Sequence, residues 1–433
     1  MATQEQHLWA PRRLRIQRAE LARVIEPGDL LGPLTVGTLG VAQTHELIFS
    51  GRAPTTEEQQ QAAEAASEAG LSRTRSALTS ALERWRTRTG QADGARDLRV
   101  LHRLGGGLII PEDEAWPVQL NDLYPASPLG LYFRGPVMEA DTDPEHNYQL
   151  AQKRLPKPPR SIAVVGSREM TDYGSRAAFE LSEQLSSHGI TILSGGAYGI
   201  DAAAHRGALH AQQDPGAPSP TSAVLAGGVD RFYPAGNERL LRAAADRGLL
   251  LSEMAPGSTP TRHRFLHRNR LIAALAAAVV VIEARWRSGA LSTAHHGLGL
   301  GRPVGAFPGS IYSTSSAGCH RLLRTTPAEL VTDAADVLEL IAAESFTDQP
   351  ALQLSSPEQS TAADARAADH LSDLDQRLYD ALPAKRSTTA GKLCGVAGLP
   401  MSQVLAGMSR LQRRGLADGT DGRWSRSKPR ATP

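Results

Sequence analysis

The chain has 433 residues, 41% of them hydrophobic, and a formal net charge of +2. That length suits about two to four domains, and the apolar fraction suits at least one sizeable core, which excludes a disordered chain. Near-neutral total charge says nothing about nucleic acid, and the two cysteines, Cys319 and Cys394, are too far apart for metal-ligand spacing, which argues against a structural zinc site.

Met1 to Ala10 shows no charged leader followed by an apolar core. The longest apolar run, Leu271–Ile282, is shorter than the roughly 18 residues of a spanning helix. With so few cysteines, the expectation is a soluble, cytoplasmic protein without a membrane partner.

Residues 1–105 read as a small helical domain. Stretches such as Glu57–Ala69 and Ser72–Arg88 are amphipathic, with turn signals at Glu26–Pro27–Gly28 and Ser50–Gly51–Arg52. A Pro-punctuated lead-in, Trp116–Pro136, carries a short strand at Leu129–Arg134. Residues 106–344 are expected to form the main domain. Its short apolar runs are Ile162–Val165, Ile190–Leu193, Ala223–Leu225, Leu249–Leu251, Ala278–Ile282 and Pro303–Phe307. Helical patterns alternate with them: Gly174–His188, Ile200–Ala211, Asn237–Arg247, Phe265–Ala277 and Ser292–Leu300. Strand and helix repeated in this way predict an α/β fold with a parallel sheet covered on both faces. Ligands bind such sheets at the carboxyl ends of the strands.

Residues 345–370 are rich in Ser, Ala, Gln and Asp without apolar period and read as a linker. From Leu371 to Pro433 there are 11 Lys+Arg against 5 Asp+Glu, a net of +6, which suits an acidic partner or a solvated basic tail. Three short helical patterns, Leu374–Leu382, Thr388–Val396 and Met401–Arg414, precede a glycine-containing arm at Gly415–Trp424. That is the outline of a winged helix over residues 371–427.

Four constellations carry the functional reading. In Gly166–Ser167–Arg168 a strand ends before a helix, where glycine admits close approach and Arg168 can fork onto a phosphate. The spacing is not G-x-G-x-x-G, so a nicotinamide site gains little. In Ser194–Gly195–Gly196–Ala197–Tyr198–Gly199–Ile200–Asp201 the glycines leave amides open as an anion-binding nest. Asp201 serves equally as helix cap or ligand contact, and His205 reads as a packed histidine.

The third constellation, residues 262–270, holds four arginines (Arg262, Arg264, Arg268, Arg270) and two histidines, with Phe265, Asn269 and no acid. Arginines neutralise phosphates while a ring stacks a base. The fourth comprises Val281–Ala284, Ser288–Ala294 and Phe307–Gly309, small-residue loops that would wall the same groove. Nothing near Glu283 in sequence pairs with it as acid or base, so it reads as a structural carboxylate.

The stretches AVVGSR, SGGAYGIDAAAH, VLAGGVDRFYP, LLSEMAPG, FLHRNRLIA, VVVIEA, SGALSTA and FPGS, in this order over residues 116–330, resemble the DNA-processing protein A (DprA, or Smf) family. The resemblance implies an extended Rossmann-like parallel sheet in a homodimeric, non-catalytic protein with no cofactor, which holds single-stranded DNA and delivers a RecA-type recombinase onto it, as in natural transformation. On this chain it implies a binding set of Gly166, Ser167, Arg168, Gly195, Gly196, Arg262, Arg264, Phe265, Arg268, Asn269 and Arg270. Arg168 would hold a phosphate and Phe265 would stack a base. Tyr198, Leu266, His267, Ala290 and Gly318–Cys319–His320 depart from the family's usual pattern.

Two rival functions stand beside this one. A nucleotide-processing enzyme of the lysine-decarboxylase-like group would need a P-G-G-x-G-T loop, and Pro308–Gly309–Ser310 is the nearest approach. A transcriptional regulator would read duplex DNA through Ser402, Gln403, Ser409 and Arg410 of the third C-terminal helix.

Overall fold

In a computed structural model the described residues are 11–71, 76–137, 144–212, 219–345, 373–382, 387–397, 399–413, 416–420 and 423–426. They fall into two compact units, Met1–Gln349 and Pro350–Pro433.

The first unit opens with α1 (Arg12–Val24), α2 (Leu31–Leu39), α3 (Val41–Phe49), α4 (Thr56–Glu68), α5 (Ser76–Arg86) and α6 (Gly94–Arg103). Their starts are set locally. Thr55 accepts the Glu58 N–H while the Glu58 carboxylate accepts the Thr55 N–H, a capping box that satisfies two orphan donors of α4.

The sheet elements follow: β1 (Gly106–Ile109), β2 (Leu131–Arg134), α7 (Pro144–Arg154), β3 (Ser161–Val165), α8 (Asp172–Ser187), β4 (Thr191–Ser194), α9 (Ile200–His210) and β5 (Thr221–Val224). Then come α10 (Glu238–Arg247), β6 (Leu249–Ser252), α11 (Arg262–Leu275), β7 (Ala278–Val281), α12 (Ala290–Gly299), β8 (Val304–Ala306), α13 (Ala317–Thr325), β9 (Glu329–Leu330) and α14 (Ala334–Ser345).

The nine strands form one sheet in the order β1-β2-β6-β5-β4-β3-β7-β8-β9. From β6 to β9 every pairing is parallel, and the alternating pattern in the sequence corresponds to this part. β1 and β2 differ: they add an antiparallel edge against β6. β3 lies between β4 and β7, so the chain reverses its direction of winding there, and the crevice of the fold opens beyond the carboxyl ends of β3 and β7.

Side-chain alternation divides the core. Ala163 and Val165 join one apolar cluster with Leu271–Leu275 of α11, while Ile162 and Val164 join another with α8, α9 and α14. Central strands such as β7, Ala-Val-Val-Val, are buried on both faces, which accounts for their unbroken apolar runs. The N-terminal helices share a third cluster with the sheet. Leu21, Leu47, Leu82 and Trp85 pack with Leu108, Tyr132, Leu225 and Leu250.

An ion pair ties α1 to the loop after β1. Arg15 donates to both Asp113 carboxylate oxygens, at 2.7 and 2.8 Å, and to the Leu108 carbonyl. Both side chains are almost fully buried, and the guanidinium lies 4.5 Å from the Tyr148 ring centroid. A second buried polar group sits on α9. The Thr221 hydroxyl donates to the Ile192 carbonyl at 2.8 Å, so its oxygen is left to accept from His205 Nδ1–H at 2.7 Å. Burial, and then the nearby charge of Arg268, push the His205 imidazole down to about 3.

The second unit contains α15 (Asp373–Ala381), β10 (Thr388–Thr389), α16 (Ala390–Ala397), α17 (Met401–Arg413), β11 (Ala417–Thr420) and β12 (Arg423–Arg426). Its three strands pair as β10-β12-β11, and Leu378, Leu393, Val404, Met408 and Leu411 fill its core. The segment read as a linker lies, from residue 346 onward, outside the described residues. No described helix is long and apolar enough to cross a membrane.

Two measurements test this core. Asp113→Ala leaves the Arg15 guanidinium buried without its carboxylate, and urea titration is expected to show a loss of about 3–5 kcal/mol. Unfolded His205 titrates near 6.5, so between pH 6.5 and about 3 the unfolded chain binds a proton that the folded chain refuses. This contribution to stability is complete above pH 6.5 and declines as the pH falls. From pH 7 to 5 the loss from this residue is on the order of 2 kcal/mol. His205→Gln keeps a donor toward Thr221 without titrating, so its stability is expected to fall less than the wild type's over that range.

Candidate nucleic-acid interface

At the crevice beyond β3 and β7 lies a cavity of about 650 Å³. The β3 loop contributes Gly166 and Arg168, α11 contributes Arg262, Phe265, Arg268 and Asn269, and the β7 loop contributes Arg287, Ser288 and Gly289. Tyr233 closes another side.

Helix α11 begins where Thr261 accepts the Arg264 N–H, a standard cap for a helix with no acid in its first turn. Its arginines separate into distinct roles. Arg262 is exposed on the cavity wall. Arg264 donates to both Glu26 oxygens, at 2.9 and 3.1 Å, and to the Thr259 carbonyl. Arg270 is buried and donates to Glu253 at 2.6 Å. Arg268 is also buried and donates to the carbonyls of Gly195 and Val224.

The acids that neutralise Arg264 and Arg270 come from elsewhere in the chain, so the absence of acid within residues 262–270 overstates the local charge. Burial pushes Arg268 down to about 10, with Asp201 acting in the opposite sense and Arg168 adding to the lowering. A Cβ at position 195 would lie 2.3 Å from Arg268 Nη2, so Gly195 makes room for this guanidinium. Asn269 donates to the Gly289 carbonyl at 3.2 Å and holds the β7 loop against α11.

The two helix starts beside the cavity are already occupied by the protein's own carboxylates. Asp201 accepts the N–H groups of Gly195 (3.1 Å) and Ala197 (3.4 Å), filling the nest of the second glycine loop. Burial raises this carboxyl above the usual range, against the pull of Arg268. Gly196 takes a left-handed φ of +66° to form the turn, and Asn237 donates to its carbonyl. At α8, Glu283 accepts the Thr171 hydroxyl (2.6 Å) and the Thr171 N–H (3.0 Å), and a Cβ at Gly174 would strike it.

Gly166 and Ser167 likewise serve packing. A Cβ at Gly166 would meet Ile200 at 2.6 Å and the Glu283 carbonyl at 2.8 Å. Ser167 is buried, with its N–H on the Glu283 carbonyl and its hydroxyl on that of Glu169.

What remains for a ligand is narrower than the sequence-derived set. Arg168, Arg262 and Arg287 line the cavity, and none of them has a carboxylate partner among the described residues. Phe265 lines the same cavity. The Arg168 guanidinium lies 4.8 Å from its ring centroid, and the Tyr233 ring lies 5.9 Å away at 48°. Tyr233, within VLAGGVDRFYP, and Arg287, just before Ser288–Ala294, adjoin segments singled out in the sequence but were not singled out themselves, being single residues on loops that the fold brings to α11.

A wider cleft of about 940 Å³ between α1 and α3 is lined by Arg12, Arg13 and Arg52. No Phe, Tyr or Trp lines it, its His45 ring is held by Glu20 at 2.6 Å, and Arg52 is held by Glu46 and Glu58. No group of three or more potential metal ligands occurs among the described residues.

Residues 107–342, which include every member of the cavity, match the family described as DNA recombination-mediator protein A. A Mycobacterium tuberculosis relative bearing the name DNA processing protein DprA is 41% identical over 342 residues, 76% of this chain and 79% of that one. The Streptococcus pneumoniae DNA processing protein DprA is 38% identical over 226 residues, 52% of this chain and 71% of that one. The X-ray structure of DprA from Streptococcus pneumoniae superposes with a TM-score of 0.54 at 27% identity, covering 76% of this chain and 98% of that one. The chain belongs to the DNA recombination-mediator protein A family.

Proposed function

We propose that this protein binds single-stranded DNA in the cavity at the winding switch, protects the strand, and passes it to a RecA-type recombinase. The observation that carries the reading is Phe265, an aromatic ring flanked by Arg168 and set among three arginines without carboxylate partners. A ring accepts any unpaired base, whereas arginines meet the phosphates between bases. In a duplex the base faces are stacked and a lone ring in a crevice has nothing to take, so the geometry favours single strands.

The membership in a recombination-mediator family supports the hand-over to a recombinase, which polymerises on single strands, and we read the working form as a homodimer. We also read the protein as a binder without catalysis. Asp201 and Glu283 are engaged by backbone and hydroxyl donors, and His205 is sealed in the core, so these three groups are committed to structure.

The C-terminal unit is read as a winged helix that contacts protein. Arg410 of α17 is drawn onto Asp375, while Val396, Met401 and Leu405 are exposed apolar side chains.

Fluorescence anisotropy with labelled single-stranded and duplex oligonucleotides across a salt series tests the binding reading. Phe265→Ala is expected to weaken single-strand binding by about 1–3 kcal/mol with little change in salt slope. Arg168→Ala is expected to lower affinity and flatten the slope by about one unit, whereas Arg264→Ala, whose charge Glu26 already satisfies, leaves the slope unchanged. Wild-type binding by both Phe265→Ala and Arg168→Ala places the strand elsewhere. A preference for duplex supports the regulator, and absence of binding returns the nucleotide enzyme to consideration.

A further inference from the structure

Between residues 284 and 328 the sequence contains no Asp or Glu, yet it holds five arginines and three histidines. A chain with 45 acids in 433 residues would place about five in a segment of that length. Acid is excluded from a surface when that surface must meet a polyanion. The segment supplies the loops at the carboxyl ends of β7 and β8, the same end of the sheet as the cavity.

These loops are stitched together. The Gly318 N–H donates to the Ala284 carbonyl at 2.7 Å, His320 Nε2–H to the Gly309 carbonyl at 3.1 Å, and the Tyr173 hydroxyl to the Pro308 carbonyl at 2.7 Å. On this braced surface Trp286 is 58% exposed and Tyr312 is 92% exposed, proportions that folding alone does not favour for large rings. The Arg321 guanidinium lies 4.7 Å from the Trp286 ring centroid. That arrangement repeats the one in the cavity, where Arg168 lies 4.8 Å from the Phe265 ring centroid. Arg287, the residue after Trp286, lines the cavity itself, so the two aromatic-arginine pairs adjoin.

We propose that Trp286 with Arg321, and Tyr312 beyond them, form a second base-stacking subsite that carries the same DNA strand out of the cavity along the ends of β7 and β8. The proposal rests on the single-strand reading of the cavity. Its occupant is nucleic acid rather than a protein surface because the segment that builds the patch supplies rings and arginines but no acid of its own, and it continues the arginines of the cavity. Arg285, paired with Glu169 at 2.7 Å, and Arg302, paired with Asp122 at 2.8 Å, are withdrawn from this role.

The test compares a short oligothymidylate of about six nucleotides with a longer one of about twenty, by anisotropy on the full chain. Trp286→Ala and Tyr312→Ala are each expected to weaken the longer strand about five- to tenfold and to leave the shorter one unchanged. Arg321→Ala is expected to flatten the salt slope for the longer strand alone, by about one unit. Trp286→Phe is expected to restore most of the affinity, which a merely misfolded loop would not do. Phe265→Ala weakens both lengths.

If Phe265→Ala weakens both lengths while Trp286→Ala and Tyr312→Ala bind both as wild type, the second subsite is wrong and the cavity reading stands. If Phe265→Ala changes neither length, the cavity reading fails on its own. A Trp286→Ala protein that keeps its affinity for both lengths but changes oligomeric state in sedimentation velocity identifies the patch as a protein contact and overturns the proposal.

Discussion

The guanidinium of Arg268 holds the functional end of the molecule together. It is buried where β4, β5 and α11 meet, donates to the carbonyls of Gly195 and Val224, and faces the Asp201 carboxylate. A buried cation is costly unless such partners surround it, so its position and theirs constrain each other. Gly195 must lack a side chain, Asp201 must remain at the start of α9, and α11 must keep the rotation that turns Arg262 and Phe265 into the cavity. Much of what resembles a ligand site in this region is therefore an internal electrostatic joint.

That joint changes how the glycine loops are understood. Helix N-termini attract anions, and an empty nest would suit a phosphate. Here Asp201 and Glu283 supply those anions from within the chain. The loops are consequently rigid, and the positive potential offered to a ligand comes from exposed arginine side chains. Side chains can follow a flexible strand and tolerate any base sequence.

The alternation of apolar runs and helical patterns made the parallel part of the sheet legible, because strands covered on both faces must be apolar throughout. The antiparallel β1–β2 edge was only half legible. Leu129–Arg134 stands out as a strand, whereas Gly106–Ile109 begins inside the run Gly105–Gly106–Gly107, which marks the turn out of α6 but carries no apolar strand pattern. The short β9 pair, Glu329–Leu330, has neither length nor pattern and exists because β8 offers it an edge. In the site, Arg168, Arg262 and Phe265 were legible as chemistry next to strand ends. Tyr233 and Arg287 were not, although their neighbours stand out, since a single side chain on a loop does not show which way it faces.

By itself, the sequence determined the class of fold and the residue types available at the carboxyl ends of its strands. These follow from local periodicity and from which side chains interrupt it. Only the tertiary structure decided which arginines are available to a ligand. Arg262, Arg264, Arg268 and Arg270 look alike over nine residues, but pairing depends on carboxylates and carbonyls brought from Glu26, Glu253, Gly195 and Val224. Electrostatic interaction acts through distance in space, and linear order carries no record of distances between segments that far apart.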